Sequence, residues 1–325
     1  MGRKHKFFES GGLAGHFPTE DLDARIAGAL RYMSSQAASR VDEQVLSEDI
    51  SRELSRKIAA GTLNYLAAQG IEIRQACMMD LGAGLGMLSE EAAFRGANPV
   101  AIEPGSGLGE ITLGRIRRSG RGAVIAATGE NLPFRDGSFD VVVSLQMLEH
   151  VENPAAVLRE VYRILKPGGW FYLTCPNYLS FHEGHYDVTW LPLLPKKLGS
   201  LYLRLRGRPT EFLNTSITYT TLPWVRRTLA KCGFLSVRER NIHDMCRSPA
   251  SIKSFWKQRI IRAARLLVSA DALARALALQ GQITHMFVRN FSELVQKPDI
   301  QHDSAACSGT RGDATSRDSV SAQID

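Results

Sequence analysis

Cysteine is scarce in this sequence: Cys77, Cys175, Cys232, Cys246 and Cys307 are the only five in 325 residues. Their number is odd and none stands in a C-x-x-C pair. A disulfide framework and a zinc–cysteine site are therefore not expected, and a reducing compartment fits best. Long apolar runs are also missing. No window approaches the roughly eighteen uninterrupted apolar residues of a membrane-spanning helix. The opening MGRKHKFFES is basic but leads into no apolar stretch of signal-peptide length, and Lys6 stands where a myristoylation motif needs Ser or Thr. A cytoplasmic location is expected. With 44% hydrophobic and 22% charged residues, composition excludes collagen-like, coiled-coil and globally disordered chains.

Acidic residues are scarce in one region. Between Pro192 and Arg265 sixteen Lys and Arg stand against three acids, Glu211, Glu239 and Asp244. That stretch therefore carries +13 of a formal +7, and the rest of the chain sums to −6. Such a region attracts phosphate, nucleic acid or an anionic membrane, or is simply a solvated surface.

The apolar pattern sets the organisation. A helix is expected over about 41–69, where Val45, Leu46, Ile50, Leu54, Ile58, Leu63 and Leu66 recur at three- to five-residue spacing before Gly70. Short runs that are apolar at nearly every position follow at 76–82, 99–104, 123–129, 139–146 and 169–177. Strands covered on both faces look like this, as in parallel sheets. Helices are expected between them at 85–96, 106–119 and 153–165, the last capped by Asn153 with Pro154 in its first turn. This alternation predicts right-handed crossovers and a doubly wound sheet. Beyond it we expect an irregular insertion (178–220), a helix (221–232), a strand (235–241), one or two basic amphipathic helices (249–280) and a last strand (283–290). The domain reading is a flexible arm (1–40), a cofactor-binding core with its leading helix (41–177), a cap for the acceptor (178–220), the C-terminal part of the core with a basic helical insert (221–295) and a disordered tail (296–325).

The chemistry starts at D-L-G-A-G-L-G (80–86), which leaves a strand and opens a helix. Gly82, Gly84 and Gly86 allow a sharp turn and a close approach by ligand. The helix start offers unpaired N–H groups and a positive dipole end. Glu103 ends the second strand, 21 residues beyond Gly82, where an acid can hold both hydroxyls of a ribose. A dinucleotide site wants G-x-G-x-x-G, but here the third glycine comes one residue early and Met87 takes its place. Asp80, directly before the loop, would repel a pyrophosphate and attract an ammonium. A ligand that joins an amino acid to an adenosine suits these residues better than one with two phosphates.

With two further signatures, ENLPFRDGSFDVVVSLQMLEHV (130–151) and REVYRILKPGGWFYLT (159–174), the block from Asp80 to Asn177 resembles the class I S-adenosylmethionine-dependent methyltransferases. The small-molecule group typified by quinone-biosynthesis enzymes is nearest, and the stretch after it is similar to glycan- and lipid-pathway methyltransferases. The resemblance implies an α/β fold, a doubly wound, mostly parallel seven-stranded Rossmann-like sheet with helices on both faces plus a cap insertion. It implies S-adenosyl-L-methionine as cofactor. Asp80, Gly82, Ala83, Gly84 and Gly86 would hold its methionine part, Glu103 with Pro104 beside it the ribose, and Thr128, Gly129, Glu130, Asn131 and Leu132 the adenine. Leu145 and Gln146 would face the methionine amine through backbone groups. Thr128 stands where the family often has Asp, so the contact to the adenine amino group would pass to a backbone group or to Glu130.

Methyl transfer from a sulfonium is a displacement in which the cofactor carries the reactivity and the protein aligns the reactants. A hydroxyl acceptor also needs a base or a metal. His150 in L-E-H-V and the loop F-H-E-G-H-Y-D (181–187) follow strands four and five, at the edge of the sheet where ligands of such folds sit. His150, His182, His185 and Asp187 are the candidate catalytic side chains. Histidines three apart in a loop are a weak ligand pattern, so no metal is expected. Cys175 reads as a buried strand-end thiol. The insertion's aromatics (Tyr178, Phe181, Tyr186, Trp190, Tyr202, Phe212) and the run Y-L-R-L-R-G-R (202–208) suit a sugar or a phosphate-bearing, lipid-linked glycan as acceptor. Two other readings stay open. An RNA methyltransferase would use the basic half, yet S-L-Q-M (144–147) stands where amine-methylating enzymes carry a polar-Pro-Pro-aromatic box, so nucleic acid is disfavoured as a partner. A non-catalytic protein of the same fold would use W-K-Q-R-I-I-R-A-A-R-L-L-V (256–268) against the anionic inner face of a membrane.

Overall fold

The computed structural model describes residues 48–249 and 254–299. The expected arm (1–40) and residues 300–325 of the expected tail lie outside the described residues, while the start of that tail is ordered: Gln296 ends the last strand and Lys297 donates to the Tyr162 and Leu165 carbonyls. A leading helix, α1 (Glu48–Ala68), precedes the alternating unit β1 (Cys77–Leu81), α2 (Met87–Phe94), β2 (Asn98–Ile102), α3 (Ser106–Ser119) and β3 (Ala123–Ile125). The chain returns through β4 (Phe139–Leu145), a short turn at Leu148–His150, α4 (Pro154–Ile164) and β5 (Leu165–Pro176). Asn153 caps α4 by accepting from the Ala156 N–H, as its sequence predicts.

These strands belong to one seven-stranded sheet ordered β3-β2-β1-β4-β5-β9-β8, where β8 is Leu235–Ser236 and β9 is Asn290–Gln296. β1 to β5 run parallel. β9 runs antiparallel to both β5 and β8. The fold is the expected one: a mostly parallel, doubly wound Rossmann-like sheet. β1 leads outward to β2 and β3, and β4 then starts on the other side of β1. The carboxyl ends of β1 and β4 thus flank the switch point, where such sheets open a crevice.

β4 shows why the strands read as unbroken apolar runs. Val142 packs with Val157, Leu158 and Val161 of α4 and with Val225 and Leu229 of α7 (Leu222–Cys232). Its neighbours Val141 and Val143 point to the other face, among Leu63 and Leu66 of α1 and Leu88 and Ala92 of α2. Side chains alternate across a strand, so a sheet covered on both faces needs apolar residues at consecutive positions.

Four expectations are corrected. Residues 235–241 are not a strand, because only Leu235–Ser236 pairs and α8 (Val237–Arg247) follows at once. The Ser236 side chain accepts from the Glu239 N–H, a capping interaction that starts a helix. Residues 283–290 are not the last strand either. The basic segment forms α9 (Phe255–Ala264) and α10 (Ala270–Thr284), and the strand begins at Asn290. The third strand ends at Ile125 rather than 129. The fifth strand begins at Leu165 rather than 169.

The insertion is more ordered than expected. After Tyr178 it forms a hairpin of β6 (His182–Glu183) and β7 (Val188–Thr189), then α5 (Lys196–Leu205) and α6 (Glu211–Thr215). Most of its aromatics are its own core: Tyr178, Tyr186 and Trp190 are buried with Leu203, Leu213 and Ile217. Tyr178 stacks on Tyr219 at 4.5 Å. Gly199 lets α5 approach the Trp190 ring, since a Cβ there would lie 2.6 Å from the indole. These rings stabilise the cap and are not free to stack on an acceptor.

Candidate active site

The loop between β1 and α2 places Gly82 (φ +78°), Gly84 (φ +54°) and Gly86 (φ +72°) in the left-handed region that favours glycine. A Cβ at Gly82 would come 2.3 Å from Met147 Cγ and one at Gly86 2.7 Å from Thr112 Cγ2, whereas around Gly84 there is nothing within 4 Å. The loop is tied to the neighbouring strand. The Gly82 and Ala83 N–H groups donate to the Ile102 carbonyl at 2.9 and 3.0 Å, and the Thr112 hydroxyl donates to the Gly84 carbonyl at 2.8 Å.

Both acids flank this loop, in different ways. Asp80 is buried beneath it, and its Oδ2 accepts from the Ser89 N–H (3.1 Å) and hydroxyl (2.7 Å). Ser89 lies in the first turn of α2, so the carboxylate anchors the start of the helix as well as the loop. Burial holds the Asp80 carboxyl up at about 6, against an ordinary 3.8, although the Ser89 hydrogen bonds lower it. Glu103 is buried at the end of β2 and accepts from the Gly84 N–H (2.9 Å) and the Gly105 N–H (3.0 Å), one oxygen each. A carboxylate oxygen has two acceptor sites, so each can still take a hydroxyl. Pro104 beside it is exposed.

The loop expected to line the adenine has few side chains free to do so. Glu130 does not face the crevice with its carboxylate: Oε1 accepts from the Glu152 and Asn153 N–H groups at 3.1 and 3.3 Å, where the start of α4 leaves donors unpaired. Leu132 sends its side chain into the core. Gly129 is packed on Val157, with a Cβ there 3.2 Å from it. Thr128 and Asn131 are the exposed side chains of this loop. At the end of β4, Leu145 is half-buried, and Gln146 takes a left-handed φ of +53° that is uncommon for a side-chain-bearing residue. The Gln146 amide donates to Thr174 Oγ1 at 3.1 Å. Ser144 Oγ, one strand position earlier, is buried without a partner. Strain and an orphaned hydroxyl at a strand end mark a place prepared for a ligand.

The next residues hold a second cluster. Met147 touches the space of Gly82, so the segment that carries Glu149 and His150 runs over the glycine loop. His150 Nδ1 lies 2.8 Å from the Ser216 carbonyl. His185 Nδ1 lies 2.8 Å from Glu183 Oε1. The two imidazoles meet edge to face at 5.4 Å, and Phe212 of α6 packs on both, at 5.8 and 5.3 Å. Burial pulls the His185 pKa down, but the hydrogen bond and charge of Glu183 outweigh it and the net shift is upward. Sequence reasoning missed Glu149. It is fully buried between the histidines and Cys175, and its Oε1 has no hydrogen-bond partner. Burial pushes its carboxyl up. The signal for it is the L-E-H triplet itself, an acid directly before the histidine that follows β4.

Of the four predicted catalytic side chains, the structure brings His150 and His185 together. His182 pairs instead with the exposed Asp187 at 3.4 Å. Burial pushes the Cys175 thiol far up, which leaves it inert as a nucleophile. A surface hollow of about 430 Å³ lined by Arg56, Lys57, Met87 and Phe94 includes none of the predicted site residues.

Comparison with known proteins supplies the family. A family profile described as a methyltransferase domain matches residues 79–173, a span that starts at the glycine loop and takes in all but the last residue of the three signatures. Residues 79–173 are a methyltransferase domain. It is of the S-adenosylmethionine-dependent class. A ubiquinone biosynthesis O-methyltransferase of Pseudomonas aeruginosa is 38% identical over 104 residues, 31% of this chain and 44% of that protein. An uncharacterized protein of Mycobacterium tuberculosis is 29% identical over 174 residues, 50% of this chain and 58% of its own. The chain thus spans about half the length of these relatives. The crystal structure of a putative sarcosine dimethylglycine methyltransferase from Galdieria sulphuraria superposes with a TM-score of 0.50 at 16% identity, over 86% of this chain and 99% of that one, which shows a shared fold.

The methyltransferase site fits the family's cofactor. Open space around Gly84, a buried carboxylate at the β2 end and the orphaned Ser144 hydroxyl suit a polar ligand laid over the loop. Glu103 would hold it beside the open space at Gly84, and the cofactor when bound supplies the methyl group.

Proposed function

We propose that the protein transfers a methyl group from S-adenosyl-L-methionine to an oxygen of a small-molecule acceptor, with a sugar or a lipid-linked glycan as the favoured class. The observation that carries this reading is the meeting of Glu149 and His150, on the segment that covers the glycine loop, with His185 of the cap hairpin. Carbon–oxygen bond formation requires the acceptor hydroxyl to lose its proton, which takes a base or a bound cation, and a buried carboxylate beside two imidazoles supplies the groups for either. The cap supports it by closing one side. Thr218 donates from its hydroxyl to the Val151 carbonyl at 2.8 Å and from its N–H to the Glu149 carbonyl at 2.6 Å. Phe212 offers an apolar wall to a ring or sugar face. The O-methyltransferase relative agrees with this chemistry. The test is transfer of a tritiated methyl group into fractionated extract: label in the lipid or glycan pool supports the reading, and label confined to RNA sinks it.

A second reading concerns where the protein works, and a separate observation favours it. Among the described residues no helix is long and apolar enough to cross a membrane. Yet Leu266 and Leu267, just beyond α9, are each 87% exposed, and Ile260 within α9 is exposed too. Lys257, Arg259, Arg262 and Arg265 share that segment with no acid. Apolar residues bordered by cations suit the surface of an anionic bilayer. Sedimentation with anionic and neutral liposomes tests it: capture by the anionic ones alone supports contact, and no capture by either sinks it.

A further inference from the structure

We propose that Glu149, His150 and His185 form a binding site for a divalent transition-metal ion of the zinc class. Their ligand atoms all lie within 4.8 Å of one another. In a tetrahedral site two ligands about 2.1 Å from a shared ion stand about 3.4 Å apart, so a pair at the 4.8 Å limit closes by roughly 1.4 Å through side-chain rotation when the ion binds.

Each imidazole is already held as a ligand would be. A carbonyl oxygen only accepts hydrogen bonds, so the Ser216 carbonyl fixes the proton of His150 on Nδ1. An ionised carboxylate likewise only accepts, so Glu183 fixes the proton of His185 on Nδ1. Both rings therefore keep a lone pair on Nε2. Glu183 is itself held: its Oε2 accepts from the Tyr186 N–H at 2.7 Å and its Oε1 from the Tyr178 hydroxyl at 3.4 Å. Metal-bound histidines show this arrangement, with the second nitrogen donating to a carboxylate or a backbone carbonyl.

The third ligand gives the independent sign. Glu149 Oε1 is buried without a hydrogen-bond partner, 3.8 Å from His150 Nε2. An orphaned carboxylate oxygen in an apolar setting is costly, and a cation resolves it. Two imidazoles and a carboxylate suit zinc-like ions rather than magnesium or calcium, and three protein ligands leave one position open. The metal site itself stands on this geometry alone. Its use in the reaction rests on the O-methylation reading: an acceptor hydroxyl at the open position would lose its proton to solvent more readily. Its oxygen would then bond the methyl carbon as the carbon–sulfur bond breaks, with the electron pair leaving on the sulfur of S-adenosylhomocysteine.

The test uses the full chain, stripped with a chelator and titrated with Zn²⁺ against a chromogenic competitor, with metal content per chain measured after gel filtration. One Zn²⁺ per chain is expected. Glu149→Gln, close in shape, and His185→Ala are each expected to weaken binding at least tenfold, while His182→Ala binds as the parent does. A Co²⁺-loaded parent is expected to show visible absorption that Glu149→Gln lacks. Absence of stoichiometric zinc in the parent, or binding unmoved by Glu149→Gln, overturns the site. If His185→Ala fails to fold, Glu149→Gln still decides. Calorimetry with S-adenosylmethionine, set beside the zinc titration, separates the two ideas: a protein that binds the cofactor but no zinc removes the metal site alone, and one that binds zinc but no cofactor removes the methyl-transfer reading alone.

Discussion

Replacing Asp80 with Asn is expected to make the protein more stable and its cofactor site worse. The side chain is buried and its carboxyl titrates at about 6 in the fold, against 3.8 in water. An acid whose pKa is raised by folding binds its proton more tightly in the native state. Stability from this group is therefore fully present below pH 3.8 and is lost as pH rises through about 6. A shift of roughly two units corresponds to about 3 kcal/mol withheld at pH 7. Asn has nearly the same shape, stays neutral and still accepts from the two Ser89 donors. Urea denaturation is thus expected to show Asp80→Asn more stable than the parent by about 3 kcal/mol at pH 7. The gap is expected to shrink as pH falls and to vanish near pH 4. A charge kept at that cost beside the loop belongs to function rather than to folding, so cofactor affinity is expected to fall at least tenfold. A variant less stable than the parent, or a gap that does not change with pH, would refute the electrostatic argument.

The glycine loop separates packing from binding. Gly82→Ala forces a Cβ onto Met147 at a left-handed φ and is expected to cost about 1–2 kcal/mol or more in urea midpoint experiments. Gly84→Ala meets no neighbour, so its loss of stability is smaller, while its cofactor affinity falls in a calorimetric titration. Ser236→Ala removes the acceptor that starts α8 and is expected to destabilise by about 1 kcal/mol, whereas a strand at 235–241 would be indifferent to it. Leu266→Glu with Leu267→Glu is expected to abolish capture by anionic liposomes without moving the thermal midpoint.

How much of this was legible in the sequence depends on where each signal resides. β1, β2, β4 and β5 read clearly because a doubly covered strand needs consecutive apolar residues. The third helix was placed within its observed limits, 106–119, and Asn153 announced α4 by its capping chemistry. The C-terminal strands failed for identifiable reasons. Ser236 and Glu239 stand three apart, a helix start that outweighed the apolar Phe234, Leu235 and Val237. β9 was hidden by Glu293, a charge in the middle of a buried strand, which is rare unless paired. Arg226 of α7 supplies the partner at 2.6–2.8 Å, and no local pattern reveals that. The same limit applies at the site. Asp80, Glu103 and the three glycines were legible as a motif. The turning of Glu130 onto the start of α4 is a contact between distant positions, and the meeting of His150 with His185 arises only when the cap docks.

The account stands most directly on whether the glycine loop and its two acids bind the sulfonium nucleoside. Isothermal calorimetry of the purified chain with S-adenosylmethionine, and separately with S-adenosylhomocysteine, reads this without knowledge of the acceptor. One molecule of either per chain is expected, at micromolar affinity, with Glu103→Ala at least tenfold weaker. A folded parent protein that gives no heat with either ligand, or a Glu103→Ala variant that binds as tightly as the parent, would contradict it.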